Sequence, residues 1–127
     1  MNRLFLYNIV GKKLEAIRRV SLWLGLSPVE VESADFGKPL GALLGDGDSG
    51  PGEEASFDDE MLVMEELSSP LLDMLRREGI AIALKAVVTE QNRTWSSAAL
   101  CRELRREHEA LRAASAKKHV HPHRKRK

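Results

Sequence analysis

Short apolar runs alternate along this chain with stretches of helical spacing, and polar or glycine-rich breaks separate them. The first run, Leu4-Phe5-Leu6-Tyr7-Asn8-Ile9, reads as a buried strand over 4–9. After it, Leu14, Ile17, Val20, Ser21 and Leu24 recur at helical spacing, with Lys12, Lys13, Glu15, Arg18 and Arg19 mostly on the other side. That predicts an amphipathic helix over 12–24, closed by Gly25 as a left-handed cap with Pro28 just beyond. Val29-Glu30-Val31-Glu32 alternates in the manner of a half-buried strand, placed over 28–33. The stretch 39–45 has room for one or two helical turns. Asp46 to Glu54 carries too much glycine and charge to pack, so a flexible acidic linker is expected over 46–59.

Order resumes with Met61-Leu62-Val63-Met64, a strand over 60–66. Ser69-Pro70 then marks a helix start over 70–78, with Leu71, Leu72, Met74 and Leu75 as its buried stripe and Gly79 as its stop. A fourth strand is expected over 82–88. Thr89 to Trp95 is a polar loop, and Ser96 caps a last helix over 96–114 with Leu100, Leu104 and Leu111 on one face. A shift of 57 places lays Leu4-Phe5-Leu6-Tyr7 on Met61-Leu62-Val63-Met64 and Leu14 on Leu71. Two strand-helix-strand copies suggest an α+β fold of ferredoxin-like, split βαβ plan. The competing plan makes 39–45 a crossover helix in an α/β fold with a mostly parallel sheet. In either case residues 1–114 form one domain, interrupted by the linker, and 115–127 is a disordered basic tail.

The charge distribution sharpens this division. The net charge of +1 conceals ten acidic residues and one basic residue in 35–66, against six basic and no acidic residues in 115–127. The tail cations Lys117, Lys118, Arg124, Lys125, Arg126 and Lys127 could meet nucleic-acid phosphates. No aromatic RNA-binding run lies on a central strand to support them. A single cysteine, Cys101, excludes an internal disulfide and a multi-cysteine zinc site. No apolar run is long enough to span a bilayer, and no secretory leader is visible, so the expected location is cytoplasmic.

Most motif-like strings fail for want of context. Asp35-Phe36-Gly37 has none of the other parts of a kinase and reads as a turn. Asp46-Gly47-Asp48-Ser49-Gly50 lacks the ligand and glycine positions of a calcium loop. His119-Val120-His121-Pro122-His123 sits among cations that repel a metal ion. Cys101 and His108 share a helical face, but a buried thiol near a helix seam is the plainer reading. The expectation is therefore no catalytic constellation, no metal and no cofactor. The best lead is the loop Thr89, Asn92, Arg93, Thr94 and Trp95. It leads from a strand into a helix start, where backbone N–H groups and the helix dipole favour an anion. Arg93 could clamp such a group, and Trp95 could stack on a planar one.

The strings 35–44, 61–64 and 84–89, with Asn92-Arg93-Thr94-Trp95 and Glu103-Leu104-Arg105-Arg106-Glu107-His108, resemble an uncharacterised family of small bacterial proteins. That family is known only as a domain of unknown function, DUF3783. The resemblance spans residues 4 to about 110 and is most specific over 84–108. It implies that the loop before the last helix is a hallmark, and it brings no activity or ligand. The functional expectation is a non-catalytic ligand- or protein-binding module of regulatory type. Its partner would be a protein or a small anionic ligand, with self-association through the sheet and no membrane. The alternative is a nucleic-acid-associated protein that binds phosphates through its tail.

Overall fold

Strand β1 (Arg3–Tyr7) feeds helix α1 (Gly11–Leu24), which returns to strand β2 (Ser27–Glu30). The identity is set by an apolar strand core and a helix with Ala16, Ile17, Val20 and Ser21 buried on one side. Gly25 ends α1 at φ 72°, and the Leu26 N–H reaches back to the Ser21 carbonyl at 2.9 Å. After β2 come a one-turn 3-10 helix (Ser33–Asp35) and a single-turn helix α2 (Leu40–Leu43). The second half runs β3 (Met61–Met64), α3 (Ser69–Arg77), β4 (Leu84–Val87), another 3-10 turn (Asn92–Thr94) and the long α4 (Ser97–Val120). This architecture comes from a computed structural model that describes residues 2–45 and 56–120, with side chains as far as 114.

The sheet order is β2-β1-β3-β4. β1 and β2 are parallel neighbours, β3 and β4 are parallel neighbours, and β1 pairs antiparallel with β3, with Leu4 opposite Met64 and Tyr7 opposite Met61. The fold is thus α+β with a mixed sheet. This corrects the ferredoxin-like expectation, because a split unit needs a third strand between its two parallel strands and here they touch. It equally corrects the mostly parallel alternative. Residues 39–45 do not carry a crossover between parallel neighbours, since β2 and β3 lie on opposite sides of β1.

The sheet is covered on both faces. Leu4, Leu6, Leu62 and Met64 pack under α1 and α3 with Ile17, Val20, Leu71 and Leu75. Phe5, Tyr7, Met61 and Val63 pack on the other side with Phe36, Leu40, Leu100 and Cys101. These two sets show why the internal repeat is faint. Leu4 and Leu62 face the same way, so the strands superpose at a shift of 58, and a shift of 57 would turn every side chain to the wrong face. The helix ends superpose at 54 instead. Gly79 lies at φ 74°, and the Ile80 N–H reaches the Leu75 carbonyl at 2.9 Å, repeating the Gly25 arrangement. The 3-10 turns, Ser33–Asp35 and Asn92–Thr94, match at 59. Two copies of one βαβ plan are present, with insertions that prevent any single offset from revealing them.

Several boundaries move for local reasons. β1 stops at Tyr7 because Asn8 takes a left-handed φ of 59°. The cap of α3 is Ser68, whose hydroxyl accepts from the Leu71 N–H at 3.3 Å, so Pro70 stands inside the first turn. α4 continues to Val120, taking helix into residues 115–120 of the expected tail. Most of the expected linker, 46–55, and tail residues 121–127 lie outside the described residues.

Both sheet edges are blunted. On β2 the N–H groups of Ser27 and Val31 point inward to Asn2 and Leu6, so Pro28 stands on the outer side, where it has no donor to offer. On β4 the Val88 N–H points inward to Met64, and the outward Val87 carbonyl is taken by Asn92 Nδ2 at 3.1 Å. Exposed Lys85 adds charge to that edge. Strand addition at either edge is disfavoured, which weighs against self-association through the sheet.

Candidate functional site

The loop after β4 is built by its own side chains. Asn92 is buried, and its Oδ1 accepts from the Thr89 N–H at 2.8 Å. The Thr89 hydroxyl returns the bond by accepting from the Asn92 N–H at 3.0 Å. With Nδ2 on the Val87 carbonyl, the Asn92 amide is committed to shaping the turn and covering β4. Arg93 is half-buried and has a partner within the protein, and Thr94 is exposed. The start of α4 is likewise occupied. Ser96 Oγ accepts from the Ala99 N–H at 3.0 Å, and the Ala98 N–H goes to the Phe36 carbonyl at 3.0 Å. The N–H groups of Ala98 and Ala99 at this helix start are thus engaged by the protein itself.

Trp95 is the large side chain of this loop. It is half-buried against the Phe36 side of the core, and it lines two openings. A groove of about 480 Å³ is lined by Trp95, Ala99, Arg102, Glu103 and Arg106. A smaller cavity of about 270 Å³ lies on its other side, toward Thr89, Asn92, Glu103 and Glu107. The helical period explains the groove: Ala99, Arg102 and Arg106 stand three and four residues apart on one side of α4, with small Ala99 leaving space beside the indole. Arg106 Nη2 holds both oxygens of Glu103, at 2.6 and 2.7 Å. Among the described residues no acidic group pairs with Arg102. The spacing of Ala99, Arg102 and Arg106 after Trp95 is the sequence signal for this groove, which the loop-centred expectation passed over.

A second charged cluster lies at the far end of the sheet. Arg105 Nη2 pairs with Asp59 and approaches Cys101 Sγ at 3.8 Å. Arg105 holds the Asp59 carboxyl below the usual carboxylate range, chiefly through that hydrogen bond. Burial pushes the Cys101 thiol up, and the side chain is packed in the core. His108 is half-buried on the same helix. Among the described residues no group of three His, Cys, Asp or Glu side chains could hold a metal ion. Lys117 and Lys118 fall on the last turn of α4, while Arg124, Lys125, Arg126 and Lys127 lie outside the described residues. No described helix is long and apolar enough to cross a membrane.

Residues 60–111 match the family model of a domain of unknown function, DUF3783. The DUF3783 match runs from β3 through α3 and β4 into α4, so it contains Trp95 and all of the groove and leaves out the first βαβ copy. No curated protein and no solved structure matches the chain.

Proposed function

We propose that this chain is a non-catalytic, cytoplasmic binding module of regulatory type, and that the groove between Trp95 and α4 receives an anionic ligand. One observation carries the reading: Arg102 lines an open groove beside a half-buried indole, with no acidic partner among the described residues. A guanidinium beside a flat apolar wall suits a carboxylate or phosphate attached to an apolar body. The other charges there are Arg106 and the Glu103 carboxylate it already holds, an arrangement for recognition rather than proton transfer.

Trp95 reports on its own groove once the exposed Trp23 is removed. In a Trp23→Phe background, tetraglutamate at low salt should shift Trp95 emission with an apparent Kd of about 1 mM or tighter. Arg102→Ala should weaken the response, and added salt should do the same. Unchanged Trp95 emission with tetraglutamate well above that concentration would sink the proposal.

A further inference from the structure

The two halves of the fold place an aromatic residue at matching stations, and only one is covered. Phe36 follows the 3-10 turn Ser33–Asp35, as Trp95 follows Asn92–Thr94. The stations lock reciprocally. The Leu40 N–H donates to the Trp95 carbonyl at 2.9 Å, the Ala98 N–H donates to the Phe36 carbonyl at 3.0 Å, and Pro39 and Ser96 form an antiparallel bridge between them.

In the first half the Phe57 ring stacks on Phe36, with centroids 4.4 Å apart and planes 20° from parallel. Acidic neighbours fasten it. Asp59 pairs with Arg105 on α4, and Glu60 pairs with Lys13 Nζ at 2.6 Å. Asn8 Nδ2 also holds the Phe57 and Asp59 carbonyls, at 2.9 and 3.0 Å. The chain thus contains one worked example of an aromatic-plus-acidic segment seated against an aromatic station and a cation of α4. In the second half Trp95 faces an open groove of about 480 Å³, and two further α4 cations, Arg102 and Arg106, stand along it.

From this we infer that the Trp95 groove takes an extended acidic peptide bearing one aromatic side chain, chemically like Ser56-Phe57-Asp58-Asp59-Glu60 of the chain itself. The aromatic ring stacks on the indole, and the carboxylates that follow meet Arg102 and draw Arg106 away from Glu103. This deepens the anionic-ligand reading and rests on it. Arg102 and Arg106 are one helical turn apart, about 6 Å along the axis. Alternate residues of an extended peptide share a face and are separated by about 7 Å, so the ring and the carboxylate two residues beyond it, spaced as Phe57 and Asp59 are, lie together on the face toward the indole and the arginine pair.

The test uses three peptides on the full chain carrying Trp23→Phe, with Trp95 emission as the signal: Ser-Phe-Asp-Asp-Glu, Ser-Ala-Asp-Asp-Glu and tetraglutamate. The phenylalanine peptide should bind about tenfold more tightly than the alanine peptide, the ratio expected of one stacked, buried ring. Arg102→Ala should weaken all three peptides, and Trp95→Phe, read with a labelled peptide, should retain the preference for phenylalanine. Equal affinity of the phenylalanine and alanine peptides overturns the aromatic specification while leaving the anionic site standing. No response to any of the three overturns both. Because the ratio compares peptides on one protein, it does not depend on whether a groove variant folds.

Discussion

Tyr7 and Ser97 join the two halves of the fold by a hydrogen bond that water cannot reach. The Tyr7 hydroxyl and Ser97 Oγ are 2.7 Å apart, and both residues are 0% exposed. The Tyr7 ring also touches Phe36 and Phe57, with centroids 5.5 and 5.7 Å away. Tyr7→Phe keeps that ring and removes only the hydroxyl, which leaves Ser97 Oγ buried without its partner. An unsatisfied buried hydroxyl costs about 1–3 kcal/mol. At roughly 4 °C per kcal/mol for a chain of this size, the midpoint should fall by about 4–12 °C. Tyr7→Phe with Ser97→Ala removes both partners, so the double variant should lose less than the sum of the two single losses, with a coupling of about 1 kcal/mol or more. Urea unfolding followed by circular dichroism gives all four corners of that cycle. Additive losses, or a Tyr7→Phe loss within about 0.3 kcal/mol of zero, would refute the claim that this bond is dry. Ionisation gives an independent check, because Tyr7 is the only tyrosine. Its hydroxyl is pushed up to about 12, chiefly by burial, while the bond from Ser97 opposes that rise. The neutral form is therefore favoured in the folded state. The associated stability is complete below pH 10, the value for an exposed tyrosine, and disappears as pH rises through about 12. Phenolate absorbance that appears near pH 10 with the protein still folded would contradict the burial.

Gly25 and Gly79 hold equivalent left-handed helix ends, and a Cβ at either would meet nothing within 4 Å. Alanine at either site should cost only the backbone penalty, about 1–2 kcal/mol, and the losses should add in denaturant titrations. Asp59 and Glu65 are held below the usual carboxylate range by hydrogen bonds from Arg105 and Arg3, so their contribution is present at neutral pH and is lost as pH falls through their lowered folded values. Both pairs are partly exposed and screened by solvent, so Arg105→Ala should reduce the stability difference between pH 7 and pH 3 only slightly, as read from urea unfolding at the two pH values. If the basic tail binds nucleic acid, raising salt from 50 to 200 mM should weaken binding about 10³-fold for six phosphate contacts, and removal of residues 115–127 should abolish it. Binding that survives the truncation would remove the tail from consideration.

The elements were readable from the sequence where a local pattern set them. The α1 stripe and its Gly25 stop, the Ser96 cap and the apolar run at 61–64 all rest on neighbours within a few residues. Strand order was not readable. It depends on which edge β3 adopts, and the apolar runs of β1 and β3 satisfy a split or a direct βαβ arrangement equally well. The loop 89–95 stands out in the sequence because it lies between a strand and a helix start. In the structure the side-chain oxygens of Asn92, Thr89 and Ser96 accept from backbone N–H groups of the turn and of the helix start, a local use that the sequence pattern alone does not separate from ligand binding. The composition around Phe57 favours solvent and places it in a linker, but its ring stacks on Phe36, a residue far away in sequence. Contacts of that kind leave no periodic trace.

The internal duplication explains why one half could keep a groove while the other closed. Met61, Leu62, Val63 and Met64 are all buried, and β1 supplies the partner that covers one edge of that strand. The half that matches DUF3783 therefore depends on the N-terminal copy for its core, since an unpaired β3 would present a flat apolar edge to water. That structural task requires β1, α1 and β2 but makes no demand on the Phe36 station. Once Phe57 is stacked there, Phe36 is 2% exposed and closed to any ligand. Trp95 carries no such cover, and its larger ring reaches the boundary between the core and the groove. Phe57→Ala separates the two roles. It should uncover Phe36 and lower stability, because a stacked ring and the segment it anchors are lost. It should leave Trp95 and its response to acidic peptides unchanged, since none of the groove-lining side chains touches Phe57 through a ring contact or a hydrogen bond. A Trp95 response that disappears with Phe57 would mean that the two stations work as one site, and the division of labour drawn from the duplication would be wrong.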